Sequence, residues 1–225
     1  MREGNIKSWE QVQQYKVNRP GEVEAIRQSL YDSATYIAAG QTSLQFFQTP
    51  IGQGATTVIG NTGVKTRRDT NMELAGVLPQ PKNFLAESIE LYLFPTTFPN
   101  QTSAVTVDIN DFANDVYEIS RAGSLDFFIG SKTYLEEAPL LRFPPKTKLH
   151  TESSVAVDVV EATAPVVKAN SYAQFAGRPY YLDPPILLQS NQNFSVTLRW
   201  DAVVAVTEIV RVVCVLDGVL YRLSQ

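Results

Sequence analysis

The sequence predicts an all-β fold: a single jelly roll, that is, a Greek-key β-sandwich of about eight strands, with one inserted helix and an N-terminal arm. Short apolar segments separated by turn residues recur from about residue 43 to residue 225. Residues 84–94 place Leu85, Ile89, Leu91 and Leu93 on one face, which is the period of a half-buried strand. The strands are unevenly spaced and show no internal repeat, which favours a Greek-key sandwich over a propeller or a meander.

Residues 1–40 differ from the rest and predict a partly helical arm, so that the sandwich domain comprises residues 41–225. Ser8 and Gln11 have the spacing of a capping box that opens a short helix. Val23, Ile26 and Leu30 have helical spacing and predict a second helix. Basic and acidic residues are balanced in this segment. It therefore predicts an arm that packs on a neighbour or on the domain's own flank, not a genome-binding tail.

Further strands are predicted at residues 43–47, 72–78, 125–129, 155–160, 186–189, 194–200 and 209–216. Residues 53–63 are rich in Gly, Thr and Asn and predict an exposed loop or hairpin. The pair Asp217-Gly218 predicts a hairpin turn, after which residues 219–223 return antiparallel. Pro184 and Pro185 argue against pairing in a central strand and predict a corner.

One helix interrupts this pattern. Ile109, Phe112, Val116 and Ile119 recur at spacings of three and four residues. Asp108 can cap the start of this helix, and Gly123 can end it.

Composition narrows the class of protein. The chain is 44% hydrophobic and 19% charged, which supplies a core and argues against disorder. A net charge of −4 gives no overall attraction to nucleic acid or anionic lipid. One cysteine cannot form an internal disulfide. We expect no signal peptide, and the most apolar segment, residues 202–216, is interrupted by polar residues and too short to cross a bilayer.

The residues that usually carry catalysis are scarce. His150 is the single histidine and follows a double proline on a basic segment, so we expect a surface histidine and not a metal ligand or general base. Cys214 shares a strand face with Val210, Val212 and Leu216, which predicts a small core residue and not a reactive thiol.

Carboxylates do not form a convincing pair either. The two-acid pattern of sandwich glycosidases would fall on Asp158 and Glu161, but its first position is alanine. Glu87 and Glu90 are three residues apart and are expected on opposite faces of a strand. The acids of residues 108–111 resemble the start of a calcium loop, but the later ligand positions are missing, so helix capping explains them better.

Two remaining patterns indicate surface segments. Glycines at positions 52, 54, 60 and 63 match neither a phosphate loop nor a dinucleotide fingerprint. The basic clusters at residues 65–68 and 142–150 predict solvated loops or subunit contacts. We therefore expect a protein that is not an enzyme, with no catalytic, cofactor-binding or metal-binding residues and no small-molecule substrate.

Abundant aromatic residues, many beside prolines, suit extended contacts between subunits. The chain resembles the jelly-roll capsid proteins of tailless icosahedral bacteriophages. The resemblance covers residues from about 40 to 225, and it rests on residues 69–72 with Leu78-Pro79, on the strand at residues 84–94, and on the turn at residues 216–218.

This resemblance implies a virion structural protein, a major capsid protein whose copies self-assemble into an icosahedral shell after synthesis in the host cytoplasm. Its partners would be copies of itself and other virion proteins, with an internal membrane or the genome on the inner face and no basic tail. Many such shells use two fused jelly rolls, whereas this chain has length for one. The alternative is a jelly-roll carbohydrate- or receptor-binding module, such as a minor vertex or spike protein or a lectin.

Overall fold

A computed structural model describes residues 23–54, 56–58, 61–95, 109–143, 147–156, 166–175, 178–207 and 209–223. The strands of these ranges are β1 (Val23–Tyr36), β2 (Ser43–Phe46), β3 (Thr56–Val58), β4 (Asn61–Gly63), β5 (Asn83–Pro95), β6 (Gly123–Ile129), β7 (Lys132–Glu137), β8 (Thr147–Ala156), β9 (Val166–Phe175), β10 (Tyr180–Leu188), β11 (Phe194–Trp200) and β12 (Val210–Leu223). Helix α1 (Ile109–Ala122) precedes β6, and a 3₁₀ turn (Leu140–Arg142) follows β7.

Eight of the strands form two four-stranded antiparallel sheets. Sheet A has the order β1-β12-β5-β10, and sheet B has the order β2-β11-β6-β7. The hairpins β3–β4 and β8–β9 form separate two-stranded sheets, and β8 lies against α1 and β5. The predicted all-β class, the helix, and the hairpin within residues 53–63 are confirmed.

The hydrophobic core lies between the two sheets. Alternate residues of β12 enter it, among them Val210, Val212, Cys214 and Leu216, and all four are fully buried. The inner face of sheet B contributes a matching row of apolar side chains from β6 and β11 to the same core. Since one connected apolar cluster joins residues of both sheets, the molecule is an all-β sandwich.

The predicted strand at residues 84–94 is confirmed as β5, but its alternation changes at a bulge. Ser88 pairs with Asp217 and Ala86 pairs with Gly218, which leaves Glu87 without a partner in the ladder. One extra residue exchanges the two faces of a strand. Ile89 therefore enters the core on one side of the bulge, and Ala86 enters it on the other.

The predicted turn at Asp217-Gly218 is wrong, because both residues lie inside the continuous strand β12. Gly218 is opposite the β5 bulge, and a Cβ placed on it would come within 1.9 Å of the Leu85 carbonyl oxygen. Glycine is required here for close approach of two backbones, which a sequence pattern does not distinguish from a turn.

The predicted second helix within the arm is also wrong, since residues 23–36 form β1. Ile26 and Leu30 are four residues apart, a spacing that puts them on one face of a helix and equally on one face of a strand. The segment forms a strand because β1 pairs with β12 along its whole length. Sheet A thus includes Val23–Tyr36 as its edge strand β1. The predicted helix near Ser8 lies outside the described residues.

Other predictions were partly right. The predicted strands near residues 43, 125, 186, 194 and 209 correspond to β2, β6, β10, β11 and β12. Residues 72–78 form only isolated bridges and no strand, although Met72 and Leu78 are buried. Strands β7 and β9 carry no clear apolar alternation and were not predicted. Pro184 and Pro185 lie within the edge strand β10 and not at a corner.

Candidate functional site on the open side of the sandwich

The sandwich has two lateral sides, each formed by one edge strand from each sheet. We call the side of β1 and β2 the closed side, because residues 64–72 cover it. We call the side of β10 and β7 the open side. An edge strand exposes backbone groups that can pair with another chain. Whether those groups are covered on each side therefore affects what the protein can bind.

A buried ion pair lies on the closed side. The Lys65 Nζ atom is 2.6 Å from the Asp32 Oδ1 atom, and the two side chains are 6% and 0% exposed. The other carboxylate oxygen of Asp32 accepts a 2.6 Å hydrogen bond from the Phe47 N–H, directly after β2. Asp32 of sheet A therefore holds both the end of β2 and the segment that contains Lys65.

Burial raises the pKa of Asp32, and the Lys65 charge opposes that rise. The hydrogen bonds and the Lys65 charge thus offset part of the cost of burying the Asp32 carboxylate.

Phe47 has a φ of 69°, which is unusual for a bulky side chain, and its ring packs 5.5 Å from that of Phe194. Its carbonyl accepts a hydrogen bond from the Gly76 N–H, so hydrogen bonds fix this strained residue on both sides.

Asn71 covers the free edge of β1 with its side-chain amide. Its Oδ1 atom accepts from the Tyr31 N–H at 2.9 Å, and its Nδ2 atom donates to the Ser29 carbonyl at 2.8 Å. The Asn71 N–H donates to the Tyr31 carbonyl, so the amide imitates a neighbouring strand. Farther along β1, Gln41 donates to the Thr35 carbonyl. Between Ser29 and Thr35, the edge of β1 consequently has hydrogen-bond partners from within the chain.

The same segment also contacts the outer face of sheet A. Arg211 on β12 donates to the Arg68 carbonyl at 3.0 Å and lies 3.4 Å from the Asp69 carboxylate. Asp69 accepts from the N–H and the hydroxyl of Thr66. Residues 64–72 therefore wrap around β1, with Lys65 on its inner face and Asp69 on its outer face.

On the open side, Tyr180 of β10 donates to the Glu137 carboxylate of β7 and packs against Phe143, and both edge strands are irregular. In β7, Leu135 pairs with Phe127 and Thr133 pairs with Phe128, so Tyr134 is an extra residue. In β10, residues 182–185 lie opposite a single residue of β5. Bulges redirect side chains and interrupt pairing. Here Tyr134 is itself the bulge residue of β7, and Tyr181 is the last residue of β10 that pairs with β5 before the irregular segment.

A groove of about 510 Å³ lies between these two irregularities. Tyr134 and Tyr181 line it and are 52% and 71% exposed. Polar groups come from three further side chains, Asp183, Gln189 and Gln192, and apolar surface comes mainly from β10. The groove thus combines exposed rings with hydrogen-bonding side chains on an open surface.

A second exposed surface lies at one end of the sandwich. Its apolar side chains, which we call the end cluster, are Ile37, Tyr117, Val203 and Ile209. Hydrogen bonds join the segments that carry them: Val206 N–H donates to the Ala38 carbonyl, and Thr207 donates to Asp115 of α1. The segments that carry the end cluster are therefore held together by hydrogen bonds.

The predictions for the candidate nucleophiles can now be compared with the structure. Cys214 is fully buried on the inner face of β12, opposite Asp32, so the predicted core role is confirmed. Burial, and then the Asp32 charge, raise the pKa of the Cys214 thiol well above its usual value. His150 lies on β8 opposite Tyr172. Its side chain lies outside the described residues, and its surface role stays a prediction.

The carboxylate candidates do not come together. Glu87 occupies the β5 bulge and pairs with Arg27 at 3.1 Å, while Glu90 accepts a hydrogen bond from Tyr92. Residues 157–165, which include Asp158 and Glu161, lie outside the described ranges, as does Asp108. Across the described residues, no group of three His, Cys, Asp or Glu side chains could hold a metal ion.

The prediction for the basic cluster at residues 65–68 is wrong for Lys65, which is buried, and right in placing Arg67 and Arg68 at the surface. Sequence reasoning missed two features: the ion pair of Lys65 with Asp32, and the groove tyrosines. A charged residue beside buried apolar positions is a weak signal of the first. Nothing local signals the second, because Tyr134 and Tyr181 are distant in sequence.

No family model, curated protein or solved structure matches this chain. Within the described ranges, no helix is long and apolar enough to cross a membrane.

Proposed function

We propose that the sandwich is a jelly roll and that the protein is a virion structural protein, a major capsid protein that self-assembles into an icosahedral shell. The observation that carries this proposal is the strand order. Numbered along the chain from 1 to 8, the eight sandwich strands follow 1-8-3-6 in sheet A and 2-7-4-5 in sheet B. This order supports a long antiparallel hairpin rolled into two Greek keys.

The pairing supports the same topology. In a rolled hairpin the first strand pairs with the last, the second with the seventh, the third with the sixth and the fourth with the fifth. These are the antiparallel pairs β1–β12, β2–β11, β5–β10 and β6–β7. Rolling then brings β12 beside β5 and β11 beside β6. The remaining hairpins and α1 are insertions between successive sandwich strands.

Jelly rolls occur in viral capsid proteins, lectins and cupins. A cupin holds its metal with several histidines, and this chain has one histidine. The end cluster favours a shell subunit over an isolated lectin, because a surface of exposed apolar side chains suits burial against another subunit. Copies of the same chain are then the first partner, and the virion is the expected location.

Size measurement on the purified full-length protein tests this proposal. We expect capsomer-sized oligomers or larger closed particles by light scattering and electron microscopy. A protein that stays monomeric at high concentration would contradict self-assembly.

A pair of matched variants locates the contact. Ile37 of the end cluster and Leu74 in the segment before β5 are both 44% exposed. Ile37→Ser should reduce assembly and Leu74→Ser should not. Equal effects of the two substitutions would exclude the end cluster as the specific contact.

A receptor- or carbohydrate-binding module, as a minor vertex or spike protein or a lectin, is the second candidate. The groove of the open side favours it, because a shell contact does not require exposed tyrosines surrounded by hydrogen-bonding side chains. A particle-forming protein that also binds a ligand in the groove would satisfy both candidates.

A further inference from the structure

We propose that the groove of the open side is a binding site for a neutral saccharide. This inference rests on the second candidate function, for which it specifies the ligand, and it does not depend on whether the chain forms a shell. It follows from what the groove disfavours, from the groups it presents and from its size.

The irregular edges of the groove disfavour an added β-strand as its ligand. A strand needs a continuous row of free N–H and C=O groups in register. Residues 182–185 of β10 are out of register with β5, and two of them, Pro184 and Pro185, have no N–H to donate. On the other wall, the Tyr134 bulge breaks the register of β7.

The exposed groups suit a ring that carries hydroxyls. Tyr134 and Tyr181 present aromatic rings to solvent on the two walls. The C–H face of a pyranose packs on such a ring. Gln189 and Gln192 each supply a donor and an acceptor, and a sugar hydroxyl needs both.

The charge of the groove indicates a neutral ligand. Asp183 is the one charged side chain among the described lining residues, and it is exposed. Anionic sugars and phosphorylated ligands are ordinarily held by Arg or Lys, which the described lining does not include. A carboxylate instead accepts hydrogen bonds from uncharged hydroxyls. The charge therefore favours neutral hexoses over acidic sugars.

The size of the groove limits the ligand. Small-molecule sites usually have volumes of about 300–1,000 Å³. A groove of about 510 Å³ that is open along the sandwich suits one or two sugar rings of a longer chain. We therefore expect it to bind part of an oligosaccharide rather than to enclose a whole ligand.

The test uses the full-length protein and a panel of neutral oligosaccharides of glucose, galactose, mannose and N-acetylglucosamine, with a sialylated oligosaccharide for comparison. Isothermal titration and ligand-observed NMR should find at least one neutral member with a dissociation constant of about 1 mM or lower. The sialylated member should bind more weakly.

Three variants assign binding to the groove. Tyr181→Ala and Tyr134→Ala should each weaken binding of the identified saccharide by about tenfold. Leu74→Ala is the control, since Leu74 is 44% exposed and lies outside both the groove and the end cluster. Circular dichroism should show all three variants folded, because none of these side chains is buried.

Several results would overturn the proposal. They are the absence of binding by every neutral member, binding that is unchanged in both groove variants, and an equal loss in Leu74→Ala. Displacement of the saccharide by a proline-rich peptide, with tighter binding of that peptide, would assign the groove to a polyproline II ligand instead.

Discussion

The closed and open sides of the sandwich both contain edge strands with unpaired backbone groups, and the two sides protect these groups from strand pairing in different ways. On the closed side, the Asn71 amide bonds the backbone of β1 at Ser29 and Tyr31, while Lys65 and Asp69 pair with charged residues on the inner and outer faces of sheet A. On the open side, bulges and prolines make the edges of β7 and β10 irregular and leave much of their surface exposed. The comparison shows that an edge can be removed from strand pairing either by filling it or by making it irregular.

The two solutions have different consequences for function. A filled edge leaves no surface for a partner, and its interactions stabilise the fold. An irregular edge keeps its surface exposed and stays available for a ligand of another shape. The closed side is thus expected to govern stability, and the open side is expected to govern binding. The predictions below test this division in order of decreasing effect.

The largest loss of stability is expected for Lys65→Met. The substitution removes the cation beside the buried Asp32 carboxyl, so at pH 7 the folded state must either bury an unpaired charge or take up a proton, a change that typically costs about 3–5 kcal/mol. Chemical denaturation of the full-length protein at pH 7 measures it. The double variant Asp32→Asn, Lys65→Met is the matched control, because it leaves no buried charge and should recover most of the loss. A single variant as stable as the natural protein would show that the ion pair does not hold the closed side.

The Lys65→Met loss should also depend on pH. Burial raises the pKa of Asp32 and Lys65 lowers it, so the pKa rises further when Lys65 is removed. In the folded variant, Asp32 then keeps its proton at pH values at which the unfolded chain, with an Asp pKa of about 3.9, has released it. The stability of the variant therefore falls as the pH rises from about 3.9 towards the higher pKa of the folded state. Denaturation should show a smaller loss at pH 4 than at pH 7. A loss that is constant over this range would contradict the assignment to Asp32.

A smaller loss is expected for Asn71→Ala. It removes the two hydrogen bonds that the side chain makes with the edge of β1, worth about 1–3 kcal/mol together. Because the edge becomes free, sedimentation should also detect new association that increases with concentration. Gln41→Ala, which removes one bond to the same strand, should cost less. If Asn71→Ala is neutral in both measurements, this edge is not protected in the way described.

The smallest effect on stability is expected on the open side. Tyr134→Ala and Tyr181→Ala should each change the free energy of unfolding by no more than about 0.5 kcal/mol, since both side chains are largely exposed. Thermal and chemical denaturation test this alongside the binding experiment. A loss comparable to that of Asn71→Ala would mean that these tyrosines are structural and would remove the contrast between the two sides.

Local sequence patterns predicted much of the sandwich but failed where two readings share a spacing. The strands β2, β5, β6 and β11 and the helix α1 were predicted because apolar periodicity records which face is buried. The helix predicted near Leu30 failed, because a separation of four residues fits helix and strand alike. The turn predicted at Gly218 failed, because a glycine that permits close contact between strands looks the same as one that permits a turn.

What the sequence determined alone is the alternation of its strands, one helix, and a composition poor in catalytic side chains. Tertiary structure decided the rest. Asp32 and Lys65 are neighbours only because β1 pairs with β12 and residues 64–72 fold back over its edge. Tyr134 and Tyr181 share a groove only because the edges of two different sheets meet there. Such contacts depend on chain segments that are far apart in sequence, and a local pattern holds no record of which distant strand will become its neighbour.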